Sequence, residues 1–219
     1  MNKLTFTLLV LTTIFSLSAC KKDRLTANGN IISETRDVAQ FTGVSSSGAT
    51  DVKITYGTTF KVLVKGSSNL IPQFTTRVVN NVLYIGFEQV NVHRDDIEVE
   101  ITMPSIRRVS VSGSGEIDIK GSFPAEQSLS VDISGSAEVD VENPMQVERV
   151  NVEISGSGEA DLEEVSTKQA DANVSGSGEV KFQVSEHLKA KISGSGKVYY
   201  RGNPTVQQDI SGSGRLIKF

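Results

Sequence analysis

The sequence predicts an all-β solenoid of about 20 residues per coil. Three observations predict it: a phrase that recurs at a near-constant interval, period-2 apolar alternation on both sides of each copy, and the lack of any stretch of ten or more residues with helical spacing. The phrase reads Val111-Ser-Gly-Ser-Gly-Glu116, Ile133-Ser-Gly-Ser-Ala-Glu138 and Ile154-Ser-Gly-Ser-Gly-Glu159, then Val174-Ser-Gly-Ser-Gly-Glu179, Ile192-Ser-Gly-Ser-Gly-Lys197 and Ile210-Ser-Gly-Ser-Gly-Arg215. Its leading serines are Ser112, Ser134, Ser155, Ser175, Ser193 and Ser211, at intervals of 22, 21, 20, 18 and 18. One such repeat cannot bury its own apolar side, whereas stacked repeats share a continuous core.

The chain begins with a segment that is set aside from the fold. In residues 1–19, Lys3 supplies a positive start and Leu4–Leu17 a short apolar stretch, the pattern of an export signal. That stretch is shorter than the roughly 20 residues a membrane span needs. It ends in Leu17-Ser18-Ala19-Cys20, which resembles a bacterial lipobox, and Cys20 is the expected lipid attachment site. Several acyl chains, palmitate among them, would anchor the protein stably in a membrane. Lys21-Lys22-Asp23 resembles the charged export signal of surface lipoproteins. Cys20 is the only cysteine, so no intramolecular disulfide forms. Residues 20–40 are expected to be the lipidated N-terminus and a flexible tether.

Residues 41–103 read as an N-terminal β region. Val52, Ile54 and Tyr56, then Phe60, Val62 and Val64, alternate with polar residues and stop at Gly57 and Gly66. Val78-Val79-Asn80-Asn81-Val82 reads as two strands joined by a tight turn, and Leu83, Ile85 and Phe87 continue the second. Ile97, Val99 and Ile101 make another strand, ended by Pro104. Val44-Ser45-Ser46-Ser47-Gly48-Ala49 looks like a degenerate first copy of the phrase, so the solenoid is expected to begin there, with a hairpin excursion around 74–102. Residues 104–219 are the repeat solenoid proper. Its six coils would span roughly 24 Å at about 4.8 Å per step, on three short faces with proline at the corners.

The glycines of the phrase read as corner residues that permit positive φ and close stacking. The functional alternative is a ladder of serine hydroxyls and backbone N–H groups that binds a glycan or an anion. After the glycines comes a charged column of Glu116, Glu138, Glu159 and Glu179, then Lys197 and Arg215. Two residues on stand Asp118, Asp140 and Asp161, then Lys181. Stacking would put these seven carboxylates on one face, either as a solvated outer surface or as a ligand or calcium face, since calcium takes oxygen ligands only.

Composition excludes several classes. Lys and Arg number 22 against 26 Asp and Glu. Loss of Lys3 with the export segment leaves 21 − 26 = −5, which argues against nucleic acid as a partner. His93 and His187 are the only histidines, too few for a zinc cluster or a repeated catalytic base. Paired carboxylates such as Glu116 and Asp118 resemble a glycosidase dyad, yet the pair recurs in three coils and an active site is normally single.

The lipobox, Phe41-Thr-Gly-Val44, Asp51-Val-Lys-Ile54, the Asn69-Leu-Ile71 segment and the stacked Ser-Gly phrases together resemble the head GIN domain family over about residues 41–219. That family is described as autotransporter adhesins, many of them Bacteroidetes lipoproteins. The resemblance implies a right-handed parallel β-helix and brings no catalytic residues. The chain is therefore expected to be a non-enzymatic, lipid-anchored adhesive or ligand-binding protein of the outer membrane, facing the periplasm or the cell surface. Glycan or extracellular protein is the expected partner, and pairing at the open C-terminal edge would give a homo-oligomer. The alternatives are a polysaccharide-binding or polysaccharide-cleaving protein and a structural envelope protein without a ligand.

Overall fold

The computed structural model describes residues 24–219; the expected export segment and the expected lipid site Cys20 lie outside them. The N-terminal strands are β1 (Ile31–Arg36), β2 (Gly43–Gly48), β3 (Asp51–Tyr56), β4 (Lys61–Ser67), β5 (Thr75–Val79), β6 (Val82–Gly86) and β7 (Glu98–Met103). The repeats supply β8 (Arg108–Gly113), β9 (Glu116–Lys120), β10 (Glu126–Gly135), β11 (Glu138–Val141), β12 (Met145–Gly156) and β13 (Glu159–Gly176). They end with β14 (Glu179–Gly194), β15 (Lys197–Arg201), β16 (Thr205–Gly212) and β17 (Arg215–Lys218). One 3-10 turn, Ile71–Gln73, follows β4.

The repeats stack in parallel and in register. Ser112, Ser134, Ser155, Ser175, Ser193 and Ser211 form one column. Ser47 and Gly48 pair with Ser112 and Gly113, so the degenerate first copy is a true coil. Three faces, as expected, are clearest in one coil. In the coil from Glu159, burial alternates and slips phase at Glu163-Glu164, at Lys168-Gln169 and at Ser175-Gly176-Ser177. Ala160, Leu162, Val165, Ala170, Ala172 and Val174 all point inward between those corners. Phe182 of the next coil stacks in register on Leu162 and is fully buried.

The phrase makes the sharpest corner. Gly156 has φ +130°, and a Cβ there would collide with the Gly135 carbonyl of the coil before. The same carbonyl accepts from Ser157 N–H at 2.8 Å, and the contact repeats as Ser177 to Gly156 and Ser195 to Gly176, each at 2.8 Å. The column is thus a hydrogen-bonded seam that only glycine fits.

Two expectations for the N-terminal part need correction. The segment around 74–102 is no excursion: β6 and β7 stack in parallel on β2 and β3, on the side away from the repeats. The coil of β2 and β3 therefore lies between one made of β6 and β7 and one made of β8 and β9, so the spatial order inverts the chain order. The hairpin itself is present as β5 and β6, with Asn80 and Asn81 at φ 50° and 62° as a two-residue turn demands. The tether also ends earlier than residue 40. Leu25 bridges to Val92, and β1 pairs antiparallel with β4 from Ile31 to Arg36. Buried Leu70 and Ile71 pack into the same end, so the N-terminal end is capped. At the other end β16 pairs only with β14 and β17 only with β15, among the described residues, and every residue of β16 is exposed.

Candidate functional site

The charged columns form as expected. Glu116, Glu138, Glu159, Glu179, Lys197 and Arg215 stand in register, and beside them Asp118, Asp140, Asp161 and Lys181. All project outward, because the intervening Ile117, Val139, Ala160 and Val180 point into the core. Stacking also brings in residues that spacing alone did not reveal. Asp51, Glu98 and Glu100 from the N-terminal coils line a groove of about 250 Å³ with Glu116 and Asp118, around Lys53.

Much of this strip is neutralised from within. Lys181 Nζ lies 2.8 Å from Glu159 and 2.9 Å from Asp161, which holds its ammonium well above the ordinary lysine range. Lys197 Nζ is 2.6 Å from Glu179. Carboxylate oxygens of Asp118, Asp140 and Glu142 converge closely enough for one cation, and Lys120 Nζ occupies that neighbourhood, 2.6 Å from Glu142 and 3.6 Å from Asp118. Glu116, Glu138 and Asp140 make no ion pair among the described residues. Burial, then the carboxylates of Asp161, Glu142, Asp118 and Glu138, raises the Asp140 carboxyl above its ordinary value. The Asp118 carboxylate is the main cause of a similar rise at Glu116, followed by burial and Glu138.

The Ser-Gly phrase offers no free ladder of N–H groups at this corner. The second-serine N–H groups all donate to glycine carbonyls of the preceding coil. His93 and His187 are exposed, lie in different coils, and make no side-chain hydrogen bond among the described residues.

A wide concavity lies on the middle face of the coils, between the acidic strip and the serine column. It is an open groove of about 700 Å³ that crosses successive coils. Gln146, Ser166 and Gln183 form one register column along it; in the coil before, Glu126 stacks with Val147 and Gln127 lines the groove beside it. Val147, Thr167 and Val184 are its buried floor. These positions were missed because the repeat shortens from 22 to 18 residues and the slack falls on this face. The pairing jumps from Leu162↔Phe182 to Ser166↔Gln183, so counting back from the phrase misaligns the column. Of the groove's carboxylates, Glu148 pairs with Lys168 at 2.9 Å and Glu126 with Arg107 at 2.9 Å, and nearby Glu163 pairs with Arg201 at 3.4 Å.

The family model for "Putative auto-transporter adhesin, head GIN domain" matches residues 40–204. This chain belongs to the head GIN domain family. Solved structures with the same fold include a putative adhesin from Bacteroides fragilis, with TM-score 0.73, 18% identity, and coverage of 89% of this chain and 100% of that one. A putative adhesin from Parabacteroides distasonis gives TM-score 0.62 at 21% identity, covering 90% and 100%. One from Parabacteroides merdae gives 0.56 at 18%, covering 90% and 99%. A search of curated proteins finds no match. Membership of this head GIN domain family fits a place in the cell envelope or at its surface, and no described helix is long and apolar enough to cross a membrane.

Proposed function

We propose that this head GIN domain is a lipid-anchored, non-catalytic adhesive module of the cell envelope, held in the outer membrane through Cys20 and binding its ligand on the side faces of the solenoid. The observation that carries this reading is the in-register stacking of exposed side chains into columns on a rigid, hydrogen-bonded frame, in a chain whose family is named for adhesion. Such columns offer the same group at every coil, which suits an extended ligand better than a single reacting bond. A polysaccharide-cleaving role has less support: the acidic groups either repeat along the strip or are paired with lysine and arginine.

The test has two parts. Radiolabelled palmitate should enter the wild-type chain in its bacterial host and not the Cys20→Ser variant; equal labelling of both removes the anchor. Binding of the purified chain to arrays of glycans and extracellular-matrix proteins should be saturable for one class of ligand. Silence on every array removes the adhesive role and leaves a structural envelope protein.

A further inference from the structure

We propose that the middle-face groove binds a neutral glycan strand laid along the solenoid axis; this rests on the adhesive reading above and names its ligand. Three features of the groove carry it. The first is its shape: it runs from Gln127 across the coils of Gln146, Ser166 and Gln183 to Arg201, so it is an open trough rather than a socket. Four coil steps of about 4.8 Å give roughly 19 Å, room for several sugar rings in line. A pyranose is about as long as one step, so successive rings meet successive coils.

The second feature is unused hydrogen-bonding capacity. Gln127, Gln146 and Ser166 are exposed and make no side-chain hydrogen bond among the described residues. An amide supplies donors and an acceptor together, and a hydroxyl does likewise, which is the pattern sugar hydroxyls need. The residues beside them are fixed. Thr167 Oγ1 donates within its surroundings to the Glu148 or Gln169 carbonyl at 3.1 and 3.0 Å, and Gln183 Nε2 donates to the Glu163 carbonyl at 2.6 Å. The open groups therefore stand on a preorganised wall, which lowers the entropic cost of binding.

The third feature is charge. Lys168 is matched by Glu148 and Arg201 by Glu163, and Arg201 also lies over the Phe219 ring at 4.5 Å. With each cation partnered, the trough has no spare charge for an acidic polymer. Its lining holds no aromatic side chain of the kind that anchors a protein partner, Val147 and Val184 are buried, and the exposed Phe219 ring beyond Arg201 is outside the trough.

Titration calorimetry with the full chain and hexamers of β-1,4-linked glucose, mannose and N-acetylglucosamine tests this. At least one hexamer should bind. Gln146→Ala and Ser166→Ala should each weaken it by about tenfold, the loss expected for a hydrogen bond removed from a preformed site. Their melting temperatures should stay at the wild-type value, and Glu138→Gln should bind normally. Retention of binding in a Gln127→Ala, Gln146→Ala, Ser166→Ala triple variant overturns the groove assignment, as does loss of binding in Glu138→Gln. Binding to a matrix protein with no hexamer bound also overturns it, while the adhesive role survives; silence on hexamers and arrays alike removes both.

Discussion

Asp140 sits in a crowd of its own charge, with Asp118, Glu138, Glu142 and Asp161 around it and Lys120 turned to Asp118 and Glu142. Its carboxyl is raised from an ordinary 3.8, so the folded chain holds that proton more tightly than the unfolded chain does. Stability contributed at this site therefore falls as pH rises from 3.8 through the raised value. Asp140→Asn should stabilise the chain at pH 7 by about 0.5–1 kcal/mol, the scale of a partly exposed charge interaction. Urea denaturation at pH 7 and at about pH 2.5 checks it: the gain should be gone at the lower pH, where the carboxyl is protonated in both states, and a gain that persists there has another cause. At the same cluster, Lys120→Met removes the resident ammonium from Asp118, Asp140 and Glu142. Millimolar calcium should then raise the melting temperature of the variant and leave the parent unchanged, because binding to the folded state alone is what stabilises. A rise in the parent would mean that calcium competes with Lys120.

At the scale of the element, a coil depends on its corner and its filling. Gly156→Ala puts a Cβ at positive φ against the Gly135 carbonyl, and should cost about 1–3 kcal/mol. Phe182→Ala empties the largest side chain of its coil and should cost about 3–5 kcal/mol. Chemical denaturation measures both, and a neutral Gly156→Ala would mean the seam relaxes more easily than its hydrogen bonds imply. These elements were legible in the sequence. Ser112 through Ser211 set the register by their spacing, and alternation around each phrase gave the inward column. Alternation names a face but not a neighbour, which is why β6 and β7 looked like an excursion. The acidic strip was legible because its residues keep a fixed offset from the phrase; Gln146, Ser166 and Gln183 were not, because the variable part of the repeat lies between them and it.

Among the described residues, the solenoid is capped at one end and unpaired at the other. Strands β1 and β4 and the buried Leu70 and Ile71 close the N-terminal end, whereas β16 leaves its backbone edge and the side chains of Val206 and Ile210 in solvent. Edges of this kind recruit further strands. Val206→Lys with Ile210→Lys should suppress concentration-dependent association in sedimentation velocity, and an unchanged profile would show that association, if present, uses another surface.

The inverted order of the first three coils bears on how the protein is made. A chain that emerges N-terminus first delivers β2 and β3 before either of their neighbours exists. They gain one flank when Glu98–Met103 appears and the other only when Glu116–Lys120 follows. The repeats, by contrast, each dock on a coil already synthesised. Assembly thus begins with a delayed closure around a waiting layer and proceeds afterwards as simple addition. The irregular third of the chain therefore holds the contacts that wait longest for their partners, and each later coil finds its partner already delivered.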